Sequence, residues 1–166
     1  MLVYSAYVLM AVFWLSRYLS GRWTEALHAA RTISGGKIGG SKFDAGEIEV
    51  GEHVQIQLRL DNRDSWSILW VLIDDLICPQ ALVGPPPALQ VDGERLRICS
   101  VPAKSSRVLS YRVTALRRGY YQIGPTIAET GDLLGLHRRF RALETTDYLL
   151  VLPKLIPLAG YDIASR

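Results

Sequence analysis

Cysteine and histidine are scarce in this chain. Two cysteines, Cys78 and Cys99, and three histidines, His28, His53 and His137, stand in 166 residues. The cysteines form no C-x-x-C pair, and two thiols are too few for a disulfide scaffold. Two half-buried free thiols are the simpler reading, since a bridge needs an oxidising compartment. The histidines are far apart, with no Cys, Asp or Glu at a metal-ligand spacing. The signatures G-x-S-x-G, H-E-x-x-H and G-x-G-x-x-G do not occur. The only adjacent acidic pair, Asp74-Asp75, closes an apolar run. Neighbours in a strand face opposite ways, so the pair is a poor acid–base dyad and reads as a solvated loop edge. No catalytic, cofactor or metal site is expected.

An excess of either charge is also missing from most of the length. Residues 1–42 hold five basic residues (Arg17, Arg22, Arg31, Lys37, Lys42) and one acid (Glu25), a net of +4. The remainder holds 14 basic and 15 acidic residues, a net of −1, which together give the formal +3 of the chain. A nucleic-acid binder carries its basic face on the folded domain, and here the basicity is confined to the N-terminal region. Internal repeats are absent.

What is present begins with an uncharged run, MLVYSAYVLMAVFWLS, closed by Arg17. Sixteen helical residues reach about 24 Å, against a hydrocarbon core about 30 Å thick. The run becomes adequate if Arg17 snorkels and Tyr18 and Leu19 sit at the boundary. Tyr4, Tyr7, Trp14, Tyr18 and Trp23 supply aromatics of the kind found at membrane interfaces. A signal peptide would start with a basic residue and offer a small-x-small cleavage site. A buried core helix is the other competitor. The expectation is a transmembrane anchor over 1–20, single-pass. All the basic residues lie on its C-terminal side, so the folded domain is expected in the cytoplasm with Met1 outside.

Residues 19–31, LSGRWTEALHAAR, place Trp23, Ala26, Leu27 and Ala30 on a helical stripe. This predicts a short juxtamembrane helix, either lying on the membrane or extending the anchor, with Arg22 and Arg31 able to meet anionic headgroups. Residues 34–41, SGGKIGGS, read as a flexible linker. Gly40-Ser41-Lys42 reverses the Lys-Ser order of a phosphate loop, no strand precedes it, and nucleotide binding is not expected.

From residue 47 the period changes to 2. Val54, Ile56, Leu58 and Leu60 alternate with Gln55, Gln57 and Arg59 in a half-buried strand. Residues 65–73 are apolar on both faces, as in a central strand. Pro79 and Gly84-Pro85-Pro86-Pro87 predict a loop outside any ladder. Leu89–Val91, Asp92-Gly93 and Leu96–Ile98 predict a hairpin with a type I′ turn. Leu109, Tyr111 and Val113 share a face. Arg117-Arg118-Gly119 turns the chain before a strand from Tyr120 to Ile123. Further strands are predicted at 126–129, 136–143 and 148–152. About seven to nine short strands with turn signals between them predict an all-β, immunoglobulin-like antiparallel sandwich. The organisation expected is an anchor at 1–20, a helix and Gly-rich linker at 21–46, a β-sandwich at 47–158, and at 159–166 the start of a further region.

Two stretches carry more than strand signal: Arg117-Arg118-Gly119-Tyr120-Tyr121-Gln122-Ile123-Gly124-Pro125, and Gly131-Asp132-Leu133-Leu134-Gly135-Leu136. They resemble the R-R-G-x-Y-x-[LI]-G-P … [DN]-P-[FL]-G-L pattern of the bacterial family catalogued as domain of unknown function 58. The strand from Gly51-Glu52 to Arg63, the Trp70 strand with its acidic end, and the close VLPKLIPL at 151–158 are similar to that family too. Leu133 stands where the family usually has Pro, and one hydrophobic segment is found where the family usually has two. The resemblance implies a β-domain followed by a von Willebrand factor A-like domain. It further implies an AAA-type ATPase as a possible partner, and that the chain corresponds to the N-terminal half of the family pattern.

Physically, Gly119 and Gly124 permit tight turns or close backbone approach. Tyr120 and Tyr121 should face opposite ways, one into the core. Asp132 could cap the turn made by Gly131 and Gly135. A structural role is the expectation for this motif. Arg138, Arg139 and Arg141, with Arg117 and Arg118, could form a basic patch for lipid headgroups or an acidic partner; the simpler reading is solvated strand edges that discourage aggregation. The expected function is a non-catalytic, membrane-anchored sandwich that binds a protein partner or positions a further domain, with no nucleic acid and no small-molecule substrate. The alternatives are an extracytoplasmic adhesion or envelope module, or an enzyme whose site the sequence does not reveal.

Overall fold

The computed structural model describes residues 2–35, 45–131 and 138–154. Among these residues ten strands form two packed sheets, with one long helix at the N-terminus and one short helix between strands. The helix α1 spans Leu2–Ala26. Strands β1 (Leu27–Ser34), β3 (His53–Asn62), β7 (Ser106–Ala115) and β5 (Leu89–Gly93) make an antiparallel sheet in the order β1-β3-β7-β5. The second sheet runs β2 (Ala45–Glu49), β10 (Asp147–Leu152), β8 (Gly119–Gly131), β4 (Ile68–Ile77), β6 (Leu96–Val101), and β9 (Arg138–Glu144) pairs with the latter half of β8. All pairings are antiparallel except β2 with β10.

The alternation in β3 and β7 sets the inner face of the first sheet. Val54, Ile56, Leu58 and Leu60 are at most 1% exposed, and Tyr111 and Val113 are buried opposite. Their partners on the second sheet are Ile73, Ile77, Ile123, Leu149 and Val151. The core has two clusters. One, around Ile56, Tyr111, Ile123 and Leu149, lies away from α1. The other joins Leu58, Leu60, Ile68, Val71 and Val101 to Trp23 at the end of α1 and Leu27 at the start of β1. The sandwich therefore packs directly onto the last turns of the helix.

Several sequence expectations need correction. The predicted helix over 19–31 ends at Ala26, and Leu27–Ser34 is an edge strand whose Leu27 faces Asn62 and whose Ser34 faces Gln55. The folded unit thus starts well before residue 47, and β2 extends it at 45–49. The apolar spacing of residues 23–30 fits period 3.6, but the open edge of β3 offers a ladder of hydrogen bonds that a helix would leave unused. The part of the predicted linker at 36–41 lies outside the described residues, as do 155–166.

The predicted hairpin around Asp92-Gly93 is not one. Strand β5 pairs with β7 in one sheet and β6 with β4 in the other, so 94–95 crosses between sheets. Gly93 has φ +107°, and a Cβ there would stand 3.2 Å from the Tyr111 Cα. The glycine allows this close crossing rather than a tight turn. Pro79–Val83 forms a short helix, α2, with Pro at its start, where a missing N–H is tolerated. The two strands predicted at 120–123 and 126–129 are one strand, β8.

Among the described residues no helix is long and apolar enough to cross a membrane. The N-terminal segment is nonetheless helical, and Val3, Tyr4, Tyr7, Val8, Leu9, Met10, Val12, Phe13, Trp14 and Leu15 are all exposed on it, from 41% to 78%.

The core assignment predicts a sharp contrast between two leucines. Leu60→Ala should cost about 2–5 kcal/mol, read as a lower urea midpoint. Leu69→Ala, at a side chain 50% exposed, should stay within about 0.5 kcal/mol of the parent.

Candidate functional site

Neither acid of the Asp74-Asp75 pair is a free loop-edge carboxylate. Both lie inside β4, on opposite faces. Asp74 accepts a hydrogen bond from Arg95 Nη1 at 2.8 Å. Asp75 continues the inward face of Val71, Ile73 and Ile77 and is 1% exposed. Its partner is Arg31 of β1, whose side chain is fully buried. The juxtamembrane lipid contact expected for Arg31 is therefore excluded by its position inside the sandwich.

The pair is saturated. Arg31 Nε donates to Asp75 Oδ2 at 3.1 Å, and Nη2 to Asp75 Oδ1 and to Thr126 Oγ1 (2.8 Å). Its Nη1 donates to Asp147 Oδ2 (2.8 Å), to the Thr145 carbonyl (2.9 Å) and, at 3.4 Å, to the Ile123 carbonyl. A guanidinium has five N–H donors, and every one has an acceptor here. Asp75 also accepts from Tyr111 Oη at 2.6 Å and from Thr126 Oγ1 at 2.8 Å. Its two oxygens thus take four donors, the number of sites a carboxylate offers. Burial alone would lower the Arg31 pKa, but the bonds to Asp75 and Asp147 hold it above the ordinary arginine value. Arg31 and Tyr111 come from one sheet, and Asp75, Thr126 and Asp147 from the other.

One motif glycine borders this cluster. Gly124 has φ +93°, and a Cβ there would lie 2.9 Å from Arg31 Nη1 and closer still to Nη2. Any side chain would displace the guanidinium. Pro125 follows through a cis peptide bond. At Gly119 a Cβ would meet the Tyr121 hydroxyl at 2.8 Å, because that hydroxyl is held by the carbonyls of Arg117 (3.0 Å) and Arg118 (3.3 Å). Tyr121 packs on the core, while Tyr120 is 61% exposed and stacks on Tyr148 with centroids 4.9 Å apart. The opposite-face expectation for the two tyrosines holds. Gly131 ends β8; Asp132, Gly135 and Leu136 lie outside the described residues.

The five arginines of the expected basic patch do not come together. Arg117 and Arg118 sit before Gly119 at the start of β8, and Arg138, Arg139 and Arg141 pair with its end. A strand of thirteen residues separates them by about 40 Å. Arg117 and Arg118 line a shallow groove with Val50, Leu116, Pro153 and Lys154. Arg138 pairs with Glu129 at 3.2 Å. Arg139 and Arg141 lie across from Thr130 and Ala128, on the side of β8 that meets α1.

There the helix is fastened to the sandwich. Trp23 is 3% exposed, Arg22 grips Asp64 through Nε (2.8 Å) and Nη2 (3.0 Å), and the Arg63 N–H donates to the Ala26 carbonyl at 3.2 Å. The hydrogen bond to Arg22 holds the Asp64 carboxyl below its usual range. Asn62 organises the same loop, its amide donating to the carbonyls of Trp66, Val101 and Pro102. The sequence reading missed this joint, for which the spacing of Trp23 and Leu27 was the available signal.

Among the described residues no group of three or more His, Cys, Asp or Glu could hold a metal ion. Cys78 and Cys99 are free and half-buried, and burial raises the Cys99 thiol.

Burial, then the charge of Asp75 and the bond to it, hold the Tyr111 phenol protonated well above the ordinary tyrosine range. The unfolded chain loses this proton near pH 10, so the stability it contributes is whole below that pH and is lost as the pH climbs further. Above the unfolded pKa the parent should lose about 1.4 kcal/mol per pH unit more than Tyr111→Phe, measured as urea unfolding free energy against pH. At neutral pH the variant should be less stable by about 1.5–3 kcal/mol, the worth of a hydrogen bond to a charged group.

No protein-family model matches this chain, and no curated protein does. Solved structures similar to it include the CARDB domain of the PF1109 protein of Pyrococcus furiosus, in complex with di-metal ions (13% identity, 78% of this chain and 97% of that one, TM-score 0.45). Others are a PapD-like domain of human CEP192 (12%, 76% and 87%, TM-score 0.43) and a cohesin module of a Clostridium perfringens glycoside hydrolase (14%, 78% and 98%, TM-score 0.42).

Proposed function

We propose that this protein is a non-catalytic interaction module, an immunoglobulin-like sandwich held at a lipid bilayer by α1. The observation that carries the reading is the contrast along that helix. Its last turns are locked into the core through Trp23 and the Arg22–Asp64 pair. From Val3 to Leu15 its apolar side chains are exposed around the whole circumference. A helix apolar on every side needs an apolar surrounding, and a single partner groove would cover only one face. The apolar length inserts into the bilayer, and Arg17 meets the headgroups at its boundary.

The excess of basic residues after the apolar run supports a cytoplasmic position for the sandwich. Its charged pairs support binding rather than chemistry: Arg31–Asp75 is saturated, and Arg22–Asp64 fastens the helix. The partner proposed is a protein, and a downstream domain of the same family pattern is one form it could take. The link to the domain of unknown function 58 family, and through it to an AAA-type ATPase, is proposed on the motif residues. The fit of Gly119 around Tyr121 and of Gly124 around Arg31 supports that link by giving those glycines definite tasks.

The full chain should float with phosphatidylcholine vesicles and stay with them through an alkaline carbonate wash. Replacing Leu9 and Val12 by glutamate should leave it in the aqueous fraction with the sandwich still folded. A parent chain that washes off neutral vesicles contradicts the insertion. A reporter fused after Arg166 should be active in the cytoplasm, and activity outside reverses the orientation.

A further inference from the structure

Where the exposed length of α1 meets the sandwich, Trp14, Arg17, Tyr18, Gly21, Arg22 and Glu25 face Arg139 of β9 across a groove. The helical positions recur at intervals of three and four residues and so form one stripe. Gly21 opens the stripe: a Cβ there would be 3.9 Å from the Arg139 guanidinium, so that group lies against the helix backbone. Arg141 belongs to the same place, donating to the Glu25 carbonyl at 3.2 Å. The structure thus gathers four arginines, from segments more than 100 residues apart in sequence, around two carboxylates, Glu25 and Asp64. Arg22 is committed to Asp64, but Arg17 and Arg139 are exposed and have no acidic partner among the described residues.

We infer that this groove binds the phosphate of an anionic membrane lipid. The inference rests on the insertion of α1 proposed above and assigns the headgroup contact of that same end. Three features fit a lipid phosphate. The guanidinium fork matches phosphate oxygens in pairs. From Leu15 to Arg22 the helix rises about 10 Å, enough to cross the polar layer beside the hydrocarbon core. Trp14 and Tyr18 flank the arginines at the level where amphipathic aromatics settle. Trp66, in the loop bound to Arg22 through Asp64, is 54% exposed at the same end. The acyl chains of such a lipid would lie along the exposed apolar residues of α1.

The test compares the full chain on vesicles of phosphatidylcholine alone and on vesicles that also carry phosphatidylglycerol, by flotation across a lipid titration. The parent should bind the anionic vesicles more tightly, by about fivefold for each arginine engaged. The double variant Arg17→Gln, Arg139→Gln should lose that advantage while binding neutral vesicles like the parent. The double variant Arg97→Gln, Arg112→Gln, at two exposed arginines away from the groove, removes the same charge elsewhere and should keep it. Equal binding of the parent to both vesicles overturns the headgroup site and leaves the insertion standing. Loss of the advantage in Arg97→Gln, Arg112→Gln to the same degree also overturns it, because net charge then explains the preference. Binding to neither vesicle overturns the insertion and the site together.

Discussion

A buried arginine is tolerable only where each of its donors meets an acceptor and its charge is answered, and Arg31 meets that condition inside this sandwich. Asp75 answers the charge, and Asp147 and Thr126 complete the coordination. Tyr111, on the first sheet with Arg31, reaches the same carboxylate. Such a cluster is a poor source of stability compared with apolar packing of equal volume. What it does add is alignment. Arg31 is saturated only when β1 lies beside β3 in the observed register and the second sheet brings Asp75 and Thr126 opposite. A slip of one residue would turn Arg31 outward and leave Asp75 buried and uncompensated. The glycine at 124 follows from the same cluster, since the guanidinium occupies the space of a side chain there.

That alignment reaches the helix. No residue separates α1 from β1: Ala26 ends one and Leu27 begins the other. Arg31 fixes the middle of β1, Leu27 is buried at its start, and one turn earlier Trp23 and Arg22 lock the helix to the loop at Asn62–Trp66. The exposed apolar length of α1 is therefore carried on a firm mount rather than on a free tether. On the proposed reading, the sandwich would take a defined pose at the membrane. The groove at Arg117 and Arg118, at the opposite end of β8 from the helix joint, would then face away from the bilayer.

The sheet strands with one wet face were legible in the sequence. Strands β3 and β7 alternate cleanly, and their inward residues are the buried ones. Tyr120 and Tyr121 divided between solvent and core as alternation requires. Strand β1 was hidden because Trp23, Ala26, Leu27 and Ala30 suit a helix, and only the open edge of β3 decides otherwise. Asp92-Gly93 looked like a hairpin because the dipeptide carries the left-handed turn signal. That signal reports a backbone angle, however, and says nothing about which sheet the next strand joins. The Arg31–Asp75 pair was misread at both ends, Arg31 as a lipid-facing charge and Asp75 as a loop edge. Its partners are 44 residues apart, and single-residue patterns do not encode such a pairing. A trace was available: Val71, Ile73 and Ile77 share the parity of Asp75, which places that carboxylate inward. At the helix foot, lipid headgroups were expected at Arg22 and, separately, at Arg138, Arg139 and Arg141; that Arg17 and Arg139 line one groove is a product of the fold alone.

The most direct test of this account is a double-mutant cycle on Arg31 and Asp75, read by urea unfolding at neutral pH. Arg31→Met and Asp75→Leu should each lose about 3–5 kcal/mol, because each leaves a buried charge alone. The double variant should lose far less than the sum, since no uncompensated charge of the pair remains. Two small losses that simply add would contradict the account, and would mean that the sheets hold their register without this pair.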